Sequence, residues 1–274
     1  MQGAIGIDVG GTLTKIAYFD KDNELQLHKF CSDELEKVGD WINSNHLTNE
    51  ICITGGKAEQ LKKLILEKQH INYILEFDAT CRGVNYLLHK SNYSFDNYVV
   101  TNIGTGTSIH IMHGNTYYRI CGTGIGGGTL KGLSTLLTGI ENFDEVVKYS
   151  KLGSRTNLDI KVSDIYSEIK SPIAGDLTAS NFGNASISKG NNNISDLIAT
   201  VQGLVGEVIT TLSLQIAAAQ SIDNIVYIGS TLSNNEPLKD IISSYTLQNN
   251  KNPIFFKDPG FSGAIGALLS KTNS

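Results

Sequence analysis

The stretch that decides the fold is "IGIDVGGTLTKIAYFD", Ile5 to Asp20. It begins as an apolar strand, breaks at Gly10-Gly11 and resumes as a second strand. A glycine pair between two strands makes a hairpin loop whose backbone N–H groups are not covered by side chains, and such groups bind phosphate oxygens. The hydroxyls of Thr12 and Thr14 add donors, and Lys15 adds positive charge. Asp8, at the end of the first strand, repels an anion. Its natural partner is a divalent cation, held directly or through water and bridging to phosphate. A plain β-hairpin with a glycine turn carries the same pattern, so the rest of the chain must decide between the two.

The pattern recurs. "IDVGGTLTKI" (Ile7–Ile16) can be laid on "TNIGTGTSIH" (Thr101–His110), which puts Asp8 opposite Asn102, Gly10 opposite Gly104 and Thr12 opposite Gly106. Both copies sit at the start of a three-strand run that leads into a helix. A duplicated fold with a cleft between its halves explains this. Two phosphate-binding hairpins facing across that cleft hold a triphosphate from both sides. A third glycine stretch, "CGTGIGGGTLKG", contains Gly122-x-Gly124-x-x-Gly127, formally a dinucleotide fingerprint. That fingerprint requires a second strand after its helix, ending in an acidic residue. Here one helical stretch leads into another, so we read the segment as a helix N-terminus whose glycines let nucleotide phosphates approach.

Outward from these motifs, strands are expected at Ala4–Val9, Thr14–Phe19 and Leu25–Phe30, then a helix at Glu34–Ser44. A strand at Ile51–Thr54, a helix at Ala58–Lys68, a strand at Ile71–Leu75 and a helix at Asp78–Lys90 follow. The second unit repeats the meander at Tyr98–Ile103, Ser108–His113 and Thr116–Cys121. Helical stretches follow at Leu130–Leu137 and Glu141–Lys151. A polar, loop-rich middle spans Ser154 to Asn193, with "KGNNNIS" at its end an exposed connection. The chain closes with a strand at Ile225–Ile228, a helix at Glu236–Tyr245, a strand at Pro253–Phe256 and a helix at Gly263–Ser270. The fold expected is α/β, two β-β-β-α-β-α-β-α halves at 1–97 and 98–274. The final helix, 263–270, is a candidate to pack back on the first half.

The 274 residues are 40% hydrophobic and 18% charged, enough for a sizeable core. Net charge is −5 and no basic run occurs, which argues against nucleic acid and anionic membrane as partners. The four cysteines, Cys31, Cys52, Cys81 and Cys121, show no zinc-ligand spacing and read as free thiols. No secretion signal or membrane-spanning run is evident, so a cytoplasmic protein is expected. With 28 glycines and only 4 prolines, many turns are suited to close approach by a ligand.

With these residues in view, the chain resembles the actin-like ATPase superfamily of acetate and sugar kinases, actin and Hsp70. "DVGGT" is similar to its first phosphate motif, "NIGTGTS" to its second and "VYIGS" to its adenosine motif. More narrowly, it resembles the type II pantothenate kinases of the staphylococcal kind, through "IGIDVGGTLTKI", "LEFDA", "TNIGTGTSIH", "GGGTLKGL", "GDLTASNFG", "VGEVITTL", "NIVYIGS" and "FSGAIGALL" in that order. The resemblance implies phosphorylation of pantothenate to 4′-phosphopantothenate, the entry to coenzyme A synthesis, with ATP and Mg2+ as cofactors. It implies ATP contacts at Asp8, Val9, Gly10, Gly11, Thr12, Leu13, Thr14 and Lys15, then at Thr105. Further ATP contacts are implied at Gly127, Gly128, Thr129, Leu130 and Lys131, and at Ser230. Phe143 stands where relatives carry a nucleotide-contacting tyrosine. Glu76 matches the catalytic base, and Arg119 an arginine at the pantothenate site. Thr178, with Asp176 beside it in a polar loop, is a candidate to bind substrate, and because relatives are dimers Tyr245 is a candidate to reach a neighbouring subunit's pocket in a homodimer.

The residues themselves bear on this assignment. Glu76 is expected at the C-terminal end of an apolar strand, where ligands sit in open α/β sheets. Asp78 stands just before a helix and is expected to cap it. Arg119 fits equally an exposed strand position or a grip on substrate or transferring phosphoryl charge. The readings left open are a sugar or amino-sugar kinase of the same fold and a non-catalytic nucleotide-binding switch.

Overall fold

The computed structural model describes residues 3–45, 50–66, 69–114, 116–166, 169–186 and 193–270. The first half runs β1 (Ala4–Val9), β2 (Leu13–Phe19), β3 (Leu25–Cys31), α1 (Leu35–Asn45), β4 (Glu50–Thr54), α2 (Ala58–Lys62), β5 (His70–Tyr73) and α3 (Glu76–Lys90). Its five strands lie in the order β3-β2-β1-β4-β5. The hairpin pairs Asp8 with Lys15, and the parallel neighbour β4 sets Thr54 beside Asp8. Side chains alternate along each strand. Ile5, Ile7, Val9, Ile16, Ile51 and Ile53 therefore share one face and bury against Val38 and Ile42 of α1 and Leu61 of α2.

The second half runs β6 (Asn97–Ile103), β7 (Thr107–His113), β8 (Thr116–Thr123), α4 (Gly127–Thr138), α5 (Phe143–Ser150), β9 (Ile160–Lys161), α6 (Val162–Ile165), β10 (Thr178–Ser180), α7 (Ile194–Ala219), β11 (Asn224–Ile228), α8 (Glu236–Gln248), β12 (Asn252–Phe255) and α9 (Ser262–Leu269). Its main sheet has the order β12-β11-β6-β7-β8, the same topology as the first. The duplication extends to single residues. Gly55 follows β4 at φ +97°, and a Cβ there would lie 2.5 Å from the Val9 carbonyl oxygen. Gly229 follows β11 at φ +113°, and its Cβ would lie 2.2 Å from the Ile103 carbonyl oxygen. Both positions need glycine for conformation and for space.

The two sheets meet through two helices. Cys81, Val84 and Leu88 of α3 bury against Tyr98, Val100, Val226 and Ile254 of the second sheet. Ala264, Ile265 and Leu268 of α9 bury against Ala4 and Ala17 of the first. The helices cross at backbone contact: a Cβ on Gly266 would lie 1.6 Å from the Ala79 carbonyl oxygen, and one on Gly83 1.9 Å from that of Ser262. Each helix thus leaves the sheet that precedes it in the chain and covers the other.

Several expectations are corrected. The fifth strand ends at Tyr73, and α3 begins at Glu76, with Leu75 at the cap position and no side-chain cap. Asp78 is therefore inside the first turn and caps nothing; its carboxylate accepts a hydrogen bond from the Tyr117 hydroxyl. The second helix ends at Lys62, and Lys68 lies outside the described residues, as do residues 189–192 of "KGNNNIS". The segment expected as loop holds the β9/β10 ribbon and α6. Finally, α7 is a 26-residue helix with no expected counterpart. It is long and apolar enough to span a membrane, but 72% of its most apolar stretch is buried in the protein, against β6 and α8 residues of the second core.

Candidate active site

The hairpin loops of the two sheets face each other across a cleft of about 520 Å³. Each loop is closed by its own backbone: Gly10 N–H donates to the Leu13 carbonyl at 3.1 Å, and Gly104 N–H to the Gly106 carbonyl at 2.9 Å. The Thr12 and Thr105 hydroxyls come within 3.3 Å across the gap. Asp8 lines the cleft at the end of β1, and Lys15 Nζ stands 3.4 Å from its Oδ2, so the lysine offsets the carboxylate charge. Gly10, Gly11, Leu13 and Ser230 also line the cleft. Val9 and Thr14 do not. Val9 is buried in the first core, and the Thr14 hydroxyl pairs with that of Ser32 at 3.0 Å.

The glycine-rich start of α4 lies behind the second hairpin. Gly127 N–H donates to the Gly104 carbonyl at 2.8 Å and Gly128 N–H to the Thr105 carbonyl at 2.9 Å, so these amides brace the loop. The Thr129 hydroxyl donates to the Gly124 carbonyl at 2.9 Å. Leu130 is fully buried, Lys131 is exposed, and Phe143 packs on the second core.

The other wall begins at the first turn of α3. Glu76 opens onto the cleft, and partial burial of its carboxyl, then the nearby Asp8 charge, raise its pKa above the ordinary carboxylate range, with Lys15 opposing. Residues 76 and 78 are 200° apart around a helix, so Asp78 leaves the cleft and meets Tyr117, whose hydroxyl is pushed up to about 12 chiefly by that bond. Phe77 carries the Arg119 guanidinium 5.6 Å above its ring and meets the buried His110 ring at 4.8 Å, tilted by 51°. Burial, then the Arg119 charge, pull His110 down to about 4, so it is neutral at physiological pH. Arg119 folds over Gly122, where a Cβ would lie 2.6 Å from its Nη2.

Thr178 and Tyr245 are together but apart from the cleft lining. The Tyr245 hydroxyl donates to Thr178 Oγ1 at 3.2 Å, and Thr178 donates to Glu207 Oε1 at 2.8 Å. Glu207 also holds Arg155. Asp176 accepts from Gln248 at 2.9 Å. Sequence reasoning left out Phe77, Thr80, Ser108 and Gly263 as individual residues, all in the cleft lining. Ser108 had a signal, standing just past the second glycine turn; Gly263 had none, because only the packing of α9 brings it within reach of Asp8.

Two sheets of one topology, joined at a cleft with a glycine hairpin from each, define the duplicated actin-like ATPase fold of kinases and related activators. The activator of 2-hydroxyisocaproyl-CoA dehydratase from Clostridium difficile, solved with bound ADPNP, matches with a TM-score of 0.65 at 17% identity, covering 98% of this chain and 94% of that one. Glucokinase from Balamuthia mandrillaris, in complex with glucose, matches at 0.51 and 15% identity over 97% and 92%. The chain belongs to the Fumble family, which it matches over residues 4–270. Among its relatives is a type II pantothenate kinase of Bacillus anthracis, 56% identical over 100% of this chain and 99% of that protein. Another, from Staphylococcus saprophyticus, is 38% identical over 96% and 98%.

Proposed function

We propose that the protein is a pantothenate kinase, transferring the γ-phosphoryl group of ATP to the primary hydroxyl of pantothenate to give 4′-phosphopantothenate. The observation that carries this is identity of more than half over the whole chain to kinases of that name. The cleft supplies groups suited to the reaction. Backbone amides and hydroxyls of both hairpins receive the β- and γ-phosphates, with Ser230 on the adenosine side. Glu76, as general base, takes the proton of the attacking hydroxyl; the new O–P bond forms as the bond from the γ-phosphorus to the β,γ-bridging oxygen breaks, and ADP leaves. Its raised pKa suits a group that must accept a proton near neutrality. Arg119, held over Phe77, faces the acceptor's carboxylate or the charge of the transferring group.

Among the described residues no three His, Cys, Asp or Glu side chains form a metal cluster. One carboxylate with substrate phosphates is the usual protein share of a magnesium site, and Asp8 fits it. Magnesium bound there would neutralise phosphate charge. The halves 1–97 and 98–274 close on the nucleotide in this reading, excluding water from the transfer. A cytoplasmic homodimer is part of this reading too. In that dimer Tyr245 would reach a neighbouring subunit's pocket, while Thr178 would bind substrate. The test is ADP release from ATP with pantothenate, pantetheine, glucose and N-acetylglucosamine. Efficient turnover of a hexose with pantothenate inert would overturn the assignment.

A further inference from the structure

Thr54 is 2% exposed, and among the described residues its hydroxyl meets no hydrogen-bond partner. A buried, unpaired hydroxyl weakens a fold, so its presence asks for a reason. Its neighbour in the sheet is Asp8, directly opposite in the parallel β1/β4 register, so the two side chains leave the same face. The segment that carries it is clamped: Gly55 lies against Val9, and Lys57 N–H donates to the Val9 carbonyl at 3.1 Å. Thr54 therefore cannot drift from the end of β1.

The duplication supplies an internal control. The matching position in the second half is Ile228, which faces Asn102 in the same register. Where the first strand of a half ends in a carboxylate, its neighbour carries a hydroxyl; where it ends in an amide, the neighbour is apolar and fully buried. The hydroxyl thus follows the carboxylate and is not a requirement of the sheet.

We infer that Thr54 is a positioning residue for Asp8: its hydroxyl is the donor that fixes the carboxylate, directly or through one water, when the nucleotide and its magnesium occupy the cleft. This rests on the reading of Asp8 as the magnesium-side carboxylate. Asp8 leans on Lys15 at 3.4 Å, a loose contact that a cation would compete with.

The test measures ADP binding by calorimetry with and without Mg2+, and the melting temperature of the unliganded protein. Its proteins are the wild type, Thr54→Val, Thr54→Ser and Asp8→Asn. Thr54→Val should melt as high as the wild type or higher, because an unpaired buried hydroxyl is replaced by a methyl of the same shape. It should lose roughly ten- to a hundredfold of the magnesium-dependent gain in ADP affinity, the usual cost of removing a group that orients a metal ligand. ADP affinity without Mg2+ should be unchanged, and Thr54→Ser should recover most of the loss. A Thr54→Val protein that melts lower and keeps the full magnesium gain would overturn the inference, showing a structural hydroxyl. An unchanged magnesium gain in Asp8→Asn would instead overturn the reading of Asp8, so the two failures are distinguishable.

Discussion

Thr12 Oγ1 and Thr105 Oγ1 stand 3.3 Å apart, although 93 residues separate them in the chain. Each tops one of the two glycine hairpins, so this contact bridges the cleft where a triphosphate would enter. Both residues are exposed, so the contact itself adds little to the fold. Replacing either threonine by valine should leave stability within about 0.5 kcal/mol. The loss of one hydroxyl to a charged phosphate should cost roughly ten- to a hundredfold in kcat/KM for ATP. Steady-state kinetics beside thermal melts check this; a variant with wild-type ATP kinetics would remove that threonine from the phosphate site.

Glu76→Gln should lower kcat on the order of a hundredfold or more, the worth of a positioned base, with ATP binding retained. Asp78→Asn should leave turnover near wild type, because its side chain is turned away from the cleft and an amide oxygen still accepts from Tyr117. Tyr117→Phe should cost about 1 kcal/mol of stability through the lost hydrogen bond. An inactive but folded Asp78→Asn, with Glu76→Gln active, would reverse the assignment.

The pKa of Glu76 also links it to stability. Its carboxyl is raised in the folded protein, chiefly by burial and then by Asp8. The sign follows: a raised carboxyl favours the fold fully below its unfolded value, and that contribution is lost as pH rises through the folded value. At neutral pH the ionised Glu76 is a net strain on the fold. Glu76→Gln should therefore melt higher than wild type at pH 7, with the gap closing in acid. A variant that melts lower at pH 7 would contradict the electrostatic account.

Gly266→Ala should be severely disruptive. The new methyl would sit 1.6 Å from the Ala79 carbonyl oxygen, with backbone on both sides and no flexible group to yield. A loss of about 3 kcal/mol or more is expected, or failure to fold, read by urea denaturation. Gly132, with nothing within 4 Å of its Cβ position and in the interior of α4, should tolerate alanine.

The first hairpin was legible as a glycine turn between two strands, and its phosphate-binding reading became legible because Asn102 and Gly104 repeat the pattern in the second half. The start of α3 was not. Leu75-Glu76-Phe77 alternates like a strand, and no Ser, Thr or Asn marks the cap. With a helix in place of a strand, Glu76 and Asp78 part company, and their side chains leave on different faces. Helix α7 was hidden for the opposite reason. It is buried almost all round, so it has no polar face to reveal a helical period, and it carries Thr210 and Ser213, whose hydroxyls donate to the carbonyls of Gly206 and Ile209 four residues back. Thr178 and Tyr245 show the remaining gap: a motif names residues, but only packing reveals that they bond each other and Glu207.

The exchange of α3 and α9 between the sheets has a consequence for any attempt to divide the molecule. A fragment ending at residue 97 would carry α3 with Cys81, Val84 and Leu88 stripped of their cover, and its sheet would lack the lid formed by Ala264, Ile265 and Leu268. The complementary fragment would suffer the mirror-image loss. Each is left with a bare apolar face shaped for the other's helix, so the two pieces should be poorly soluble apart and reassociate when mixed, as two hands that each hold the other's wrist.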